Sequence, residues 1–287
     1  MTTAEFHIKN FWRRNSIKKI KRTLPSSYDE FTAADFLKLF QLKNLNLLPI
    51  ALTVSFIHHL LSLRPRIFFN LKQYELDELA ETLKWMVPGK DPITGTDIPP
   101  IMEKFPLQKI RCGWRNYYGP ADRLSNITVI EWVMADSLYM SYASEPDTET
   151  LHRFLAVLYR PANPFTRIAR RLNGRDVRIK LNEHFLEKRA ARLAKLPLYV
   201  KQSIMFVFEA NRHRVTQEFN EIFKQVDKKY GDDDFDYAAF IYDMAGPELG
   251  TVGQVEAELV NNVFHFCQRN QKKLRDPNKE NLLNMKL

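Results

Sequence analysis

The stretch Leu151–Arg214 carries the clearest secondary-structure pattern of this chain. It opens with LHRFLAVLYRP (151–161), passes through an arginine-rich segment and NGRDVRIKLNEHFLEKRAARLAKLP (173–197), and closes with YVKQSIMFVFEANRHR (199–214). In its first part, Leu151, Phe154, Leu155 and Leu158 recur at the spacing of a helix with one apolar face. The stretch therefore predicts three amphipathic helices that flank one basic loop.

Composition extends the helical prediction to the rest of the chain. The 287 residues suffice for one large domain or two smaller ones, and 45% of them are hydrophobic, so a sizeable core can form. Only nine are glycine, which disfavours turn-dense β folds. We predict a mainly α fold, a multi-helix bundle in two lobes joined by a Pro-rich irregular segment with a few short strands.

Helix-capping residues and prolines along the chain predict the domain boundaries. Thr32 and Asp35 have capping-box spacing before one helix, and Thr128 and Glu131 have it before another. Between these helices, six prolines within residues 88–127 break any long helix. The predicted segments are a basic arm (1–24), an amino-terminal helical lobe (25–87), a Pro- and aromatic-rich connector (88–127), a carboxy-terminal helical lobe (128–275) and a polar tail (276–287).

Positive charge is concentrated in two segments. The chain carries a net charge of +9, with seven Lys/Arg against one Glu in residues 1–24 and eleven against three acids in residues 160–195. The arm could form an amphipathic helix on docking, or it could be a frayed terminus. Six arginines form the predicted partner-binding set: Arg160, Arg167, Arg170, Arg171, Arg175 and Arg178. The alternatives for this loop are a solvated surface, an acidic protein partner and nucleic acid.

No sequence pattern of a catalytic or cofactor site is present. The chain contains no Gly-x-Ser-x-Gly elbow and no His-Glu-x-x-His helix, and its histidine–glutamate pairs lack the further ligands of a metal site. We therefore predict no enzyme activity, no cofactor and no metal. One alternative is an enzyme with a site assembled from Arg178, Glu183 and His184.

The sequence also predicts a compartment. Cys112 and Cys267 are isolated, which is not the cysteine pattern of a secreted disulfide framework. The amino terminus lacks a signal-peptide apolar run, and the most apolar window, 45–63, is interrupted by Pro49 and two histidines. We expect a protein of a reducing cytoplasm that does not engage a membrane.

Several phrases occur in a characteristic order: LPSSYDEFTAADFLKL (24–39), FLAVLYRP (154–161), RDVRIKLNEHFLEKRAARLAKLP (175–197), FVFEANR (206–212) and FIYDMAG (240–246). This layout resembles the tail assembly chaperones and related tail accessory proteins of tailed phages. In that group the opening phrase carries Trp where this chain has Tyr28. The likeness covers most of 24–275 and fits the basic arm and residues 88–127 less well.

The resemblance implies a non-enzymatic role in the host cytoplasm. Tail chaperones coat the long, aggregation-prone tape-measure protein before the tail tube polymerises around it. The implied partner is a tape measure or another acidic protein, bound through apolar grooves between helices. The residues leave open a nucleic-acid-binding helical protein that uses the basic arm and the 160–195 region, and they also leave open a homo-oligomer.

Overall fold

A computed structural model describes residues 2–9, 17–90, 95, 97–163, 176–223 and 237–274. The fold is mainly helical with a few short strands, which confirms the predicted fold class. The described helices are Ala33–Lys43 (α1), Pro49–Leu61 (α2), Pro65–Phe68 (α3), Gln73–Thr82 (α4), Val129–Ser144 (α5), Thr148–Leu158 (α6), Leu186–Leu193 (α7), Leu198–Glu218 (α8), Tyr237–Met244 (α9), Val252–Ala257 (α10) and Val260–Leu274 (α11).

The described strands form antiparallel pairs. They are Thr2–Lys9 (β1), Ile17–Leu24 (β2), Gly89–Lys90 (β3), Asp97–Ile98 (β4), Lys109–Cys112 (β5) and Arg115–Tyr118 (β6). In the basic arm, β1 pairs with β2 in a register that sets Thr2 opposite Leu24. For this arm the sequence left two alternatives open, a helix that forms on docking and a frayed terminus. It did not predict paired strands.

The chain divides into two compact units. The first unit contains Met1–Pro106 and Pro197–Ala210, and the second contains Leu107–Leu196 and Asn211–Leu287. Helix α8 begins in the first unit and ends in the second. These units differ from the predicted lobes in two ways. Residues 197–210 belong to the first unit, and the predicted connector (88–127) is divided between both units.

The first unit is built around aromatic side chains. Thr32 caps α1 as predicted, since its side chain accepts from the Asp35 amide and the Asp35 carboxylate accepts from the Thr32 amide at 2.8 Å. This cap directs Phe36 into a cluster in which the ring centroids of Tyr28 and Trp85 lie 4.8 Å apart. Phe206 of α8 stands 5.1 Å from Tyr28 and completes the cluster.

The second unit is centred on α6, which packs against α5 and α7. The predicted apolar face of α6 is buried, with Leu151, Phe154, Leu155 and Leu158 each at most 3% exposed. Asp147 caps the helix by accepting from the Thr150 amide at 2.8 Å. Periodicity therefore predicted this helix and its buried face correctly, and the structure adds the Asp147 cap.

The apolar stripe near the end of the chain predicts one helix over about 252–274, and backbone pairing interrupts it. The Val129 amide donates to the Glu258 carbonyl at 2.9 Å, and the Val260 amide donates to the Ile127 carbonyl at 3.0 Å. These tertiary hydrogen bonds hold residues 258 and 259 out of helical conformation and separate α10 from α11. The apolar stripe continues across the break, so the sequence pattern gave no sign of it.

Within the predicted Pro- and aromatic-rich connector, the sequence of RCGWRNYYGP (111–120) is typical of an aromatic-rich loop, but most of it forms the β5–β6 hairpin. Ile110 and Tyr117 are paired across the hairpin and both are buried. Gly113 adopts a φ of +58°, which a two-residue turn of this kind favours and a side chain would resist. Across the described ranges, no helix is both long enough and apolar enough to cross a membrane.

Candidate partner-binding site

The structure buries two of the six arginines that were predicted to bind a partner. The side chains of Arg160 and Arg178 are both 0% exposed, so neither can reach an outside partner in this conformation. For these two residues the prediction of an exposed basic loop was wrong. Arg167, Arg170, Arg171 and Arg175 lie outside the described residues.

Glu131 of α5 is the acceptor that holds the two buried arginines. Its Oε1 accepts from Arg160 Nη1 at 2.5 Å, and its Oε2 accepts from Arg178 Nη2 at 3.1 Å. Arg178 also donates to the Asn126 carbonyl at 2.7 Å and forms an ion pair with Asp176 at 2.8 Å. A buried charge of this kind requires such partners, because desolvation without compensation costs several kcal/mol.

Positive charge exceeds negative charge in this cluster. Burial lowers the pKa of Arg160, and the neighbouring Arg178 lowers it further. Burial also lowers the pKa of Arg189 to about 10, and Arg189 donates to the Ala156 carbonyl at 2.7 Å. Each of these buried arginines donates to a specific acceptor inside the second unit. We therefore expect the cluster to stabilise the fold and not to bind a partner.

Sequence reasoning assigned Glu131 to the wrong interaction. The Thr128 side chain does accept from the Glu131 amide, as a capping box requires, but the carboxylate is engaged by the arginines. A signal was present in the position of Arg160, which directly follows the apolar run LAVLY of a buried helix. An arginine there must find a carboxylate inside the unit.

The first unit contains an apolar groove, which is the best candidate for a partner site. It has a volume of about 360 Å³ and lies between α1, α2 and the end of α4. The Tyr28 hydroxyl donates to the Met86 carbonyl at 3.1 Å beside it. Its apolar lining includes Leu39, Leu52, Phe56, Leu83, Met86 and Val87.

The groove is open to solvent at its rim. Val87 is 71% exposed although it is a large apolar residue, while Phe56 at the inner wall is 2% exposed. The groove therefore runs from a buried aromatic wall to an uncovered aliphatic edge. Exposed apolar surface beside a concave wall is typical of interaction sites.

Lys43 supplies positive charge at the groove. Its ammonium lies 5.1 Å from the centroid of the Phe40 ring and 6.0 Å from that of Phe206. These apolar surroundings lower the pKa of Lys43 through desolvation. Among the residues that the structure describes, no carboxylate lies within ion-pair distance of Lys43, whereas Lys84 in the same lining pairs with Glu81 at 2.5 Å.

The structure does not assemble the alternative catalytic set. Glu183 and His184 are exposed on a 3-10 turn, while Arg178 is buried in the ion cluster. In the described part of the chain, no three His, Cys, Asp or Glu side chains are grouped to hold a metal.

Comparison with known proteins adds no relative. No family model, no curated protein and no solved structure matches the chain.

Proposed function

We propose that this chain is a non-enzymatic phage tail assembly chaperone or tail accessory protein. Its partner would be an aggregation-prone structural protein such as a tape measure, held through an amphipathic helix. The observation that carries the proposal is the apolar groove of the first unit, with its exposed rim at Val87 and Lys43 beside it. The order of short sequence motifs, which resembles that of tail assembly chaperones, supports the same role.

Helix-in-groove recognition explains the chemistry of the lining. An amphipathic helix places large apolar side chains along one face at i, i+3, i+4 and i+7. Such side chains would cover Leu52 and Val87 and remove their surface from water. A carboxylate on the flank of the same helix would meet the ammonium of Lys43. The groove therefore fits an acidic amphipathic helix.

Co-expression tests the proposal. The tape-measure protein encoded in the same gene cluster should shift from the insoluble to the soluble fraction when this chain is present, and the two should co-purify. An unrelated soluble helical protein, expressed to the same level, controls for general effects on yield. If the tape measure is equally insoluble with this chain and with the control, the proposed function is wrong.

A further inference from the structure

A tryptophan at the tip of the β5–β6 hairpin is almost fully exposed to solvent. Trp114 is 96% exposed, whereas Trp132 in the same unit is 1% exposed. Both faces of the Trp114 indole are therefore open to solvent. A tryptophan buries more apolar surface than almost any other side chain when it is covered, so leaving it in water forgoes a large stabilisation. This exposure points to a ligand.

Basic residues flank Trp114 along the β5–β6 hairpin. Lys109, Arg111 and Arg115 are exposed, and from Leu107 to Gly119 the sequence contains no acidic residue. The Arg111 Nε donates to the Gly113 carbonyl at 3.1 Å, which holds that guanidinium at the turn. The Lys109 ammonium lies 5.9 Å from the centroid of the Tyr118 ring, and the two residues are paired across the hairpin on the same face of its sheet.

The base of the hairpin is firmly anchored. Tyr118 and Arg160 exchange backbone hydrogen bonds of 2.8 and 3.0 Å, and the Gly119 amide donates to the Gln108 carbonyl at 2.8 Å. The Tyr159 hydroxyl donates to the Leu107 carbonyl at 2.6 Å, and Cys112 Sγ donates to the Arg192 carbonyl at 3.2 Å. The hairpin backbone is therefore held at its base, so binding at the tip requires little ordering of the backbone.

We propose that the β5–β6 hairpin binds single-stranded nucleic acid. A base stacks on the Trp114 indole, and Arg111 and Arg115 bind the flanking phosphates. Alternation of aromatic and basic side chains on one exposed element is the pattern of sequence-tolerant single-strand binding. A duplex hides its base faces, so it can satisfy the arginines and leave the indole uncovered.

Charge and shape favour a nucleic acid over an acidic protein at this tip. Trp114 at the hairpin tip is 96% exposed, so the described residues leave both faces of its ring uncovered. A protein partner would need its own pocket to cover the ring, whereas every nucleobase supplies a flat π face. This surface belongs to the second unit and does not depend on the groove of the first, so either proposal can fail alone.

Fluorescence anisotropy with a labelled oligothymidylate of about 15 nucleotides tests the proposal across a salt series. We expect binding at about 50 mM salt that weakens as salt rises. Trp114→Ala should weaken binding about 5- to 150-fold, whereas Trp114→Phe keeps a stacking ring and should lose less. Oligothymidylate should also quench the tryptophan fluorescence of the unmodified chain, and Trp114→Phe should abolish that quenching.

The arginines have their own readout. The double variant Arg111→Gln/Arg115→Gln should reduce the slope of log affinity against log salt by about 1.4, because each single-strand phosphate contact contributes roughly 0.7. Lys188→Gln/Lys195→Gln removes the same charge from exposed positions of the same unit and serves as the matched control. All of these positions are exposed, so the melting temperature should not change.

Three results would overturn the proposal. The first is no binding of oligothymidylate at about 50 mM salt. The second is unchanged affinity in both Trp114 variants, which would leave only general attraction to a polyanion. The third is an equal loss of salt slope in the Lys188/Lys195 control, which would show that net charge and not the hairpin sets the affinity.

Discussion

At the scale of single residues, the second unit depends on one carboxylate. Glu131 is 5% exposed and faces two guanidiniums that are fully removed from solvent. Among the described residues, Arg160 has no second acceptor as near, since Asp176 lies 4.0 Å from it and is partly exposed, whereas Arg178 also pairs with Asp176 at 2.8 Å. Removing the charge of Glu131 therefore leaves buried positive charge uncompensated, which is far more costly than losing a surface ion pair.

Glu131→Gln should lower the free energy of unfolding by about 3–5 kcal/mol, as measured by urea denaturation. Glu149→Gln is the matched control, because Glu149 pairs with Arg153 on an exposed face of α6 and its loss should cost about 1 kcal/mol or less. Equal effects in the two variants would show that the Glu131 cluster is not the buried ion network described above.

Cys267 provides a second test at this scale. Burial raises the pKa of the Cys267 thiol to about 12, and the residue is 6% exposed. Since the thiolate is the reactive form, Cys267 should label slowly with iodoacetamide at about pH 8 in the folded protein. Cys112 is less buried and should label first, as peptide mapping would show. Labelling of Cys267 as fast as in denaturant would contradict its placement.

At this scale the sequence predicted interactions between near neighbours and missed those between distant ones. Thr32 and Asp35 are three residues apart, and their reciprocal hydrogen bonds followed from spacing alone. Glu131 and Arg178 are 47 residues apart, and their pairing depends on how three elements are placed in the fold. For the same reason, the predicted basic loop included two arginines that belong to the interior.

At the scale of elements, periodicity predicted helices well and strands poorly. The buried apolar face of α6 was predicted correctly because its leucines and Phe154 follow the helical repeat without interruption. Of the β5–β6 hairpin, the sequence predicted only short strands around 105–111 and not the pairing with 115–118, because each strand has four residues, too few for alternation to differ clearly from a loop. Yet this hairpin carries the exposed Trp114, so the poorly predicted element is also a proposed binding element.

Leu155→Ala tests the buried face of α6. Leu155 is 0% exposed, so truncation removes buried apolar contacts and leaves a cavity. The free energy of unfolding should fall by about 2–5 kcal/mol. Met140→Ala on α5 is the control, because Met140 is 40% exposed and its loss should cost much less. A fall of under about 1 kcal/mol for Leu155→Ala would indicate that the helix is not packed as described.

At the scale of the whole molecule, the two proposed binding surfaces belong to different units. The groove lies in the first unit and the hairpin in the second, while the arginines Arg160 and Arg178 that suggested a single basic site are structural. Sequence reasoning expected two lobes joined by a Pro-rich connector. It could not anticipate that residues 197–210 belong with the amino-terminal part, because one continuous helical pattern runs through both units.

The groove was also beyond sequence reasoning. Its wall combines residues from α1, α2 and the segment after α4, and each of them has the spacing of an ordinary core residue. Only the structure distinguishes buried Phe56 from exposed Val87. The function proposed for this chain therefore depends on whether that uncovered edge binds the partner.

The central test of the proposed function is whether the proposed tape-measure partner co-purifies with Val87→Asp. Val87 is exposed, so the variant should fold and melt like the unmodified chain, but a carboxylate at the apolar rim should abolish recovery of the partner. Ile101→Asp, at a 52% exposed position of the same unit outside the groove, should recover the partner normally. Full recovery of the tape measure by Val87→Asp would contradict the account.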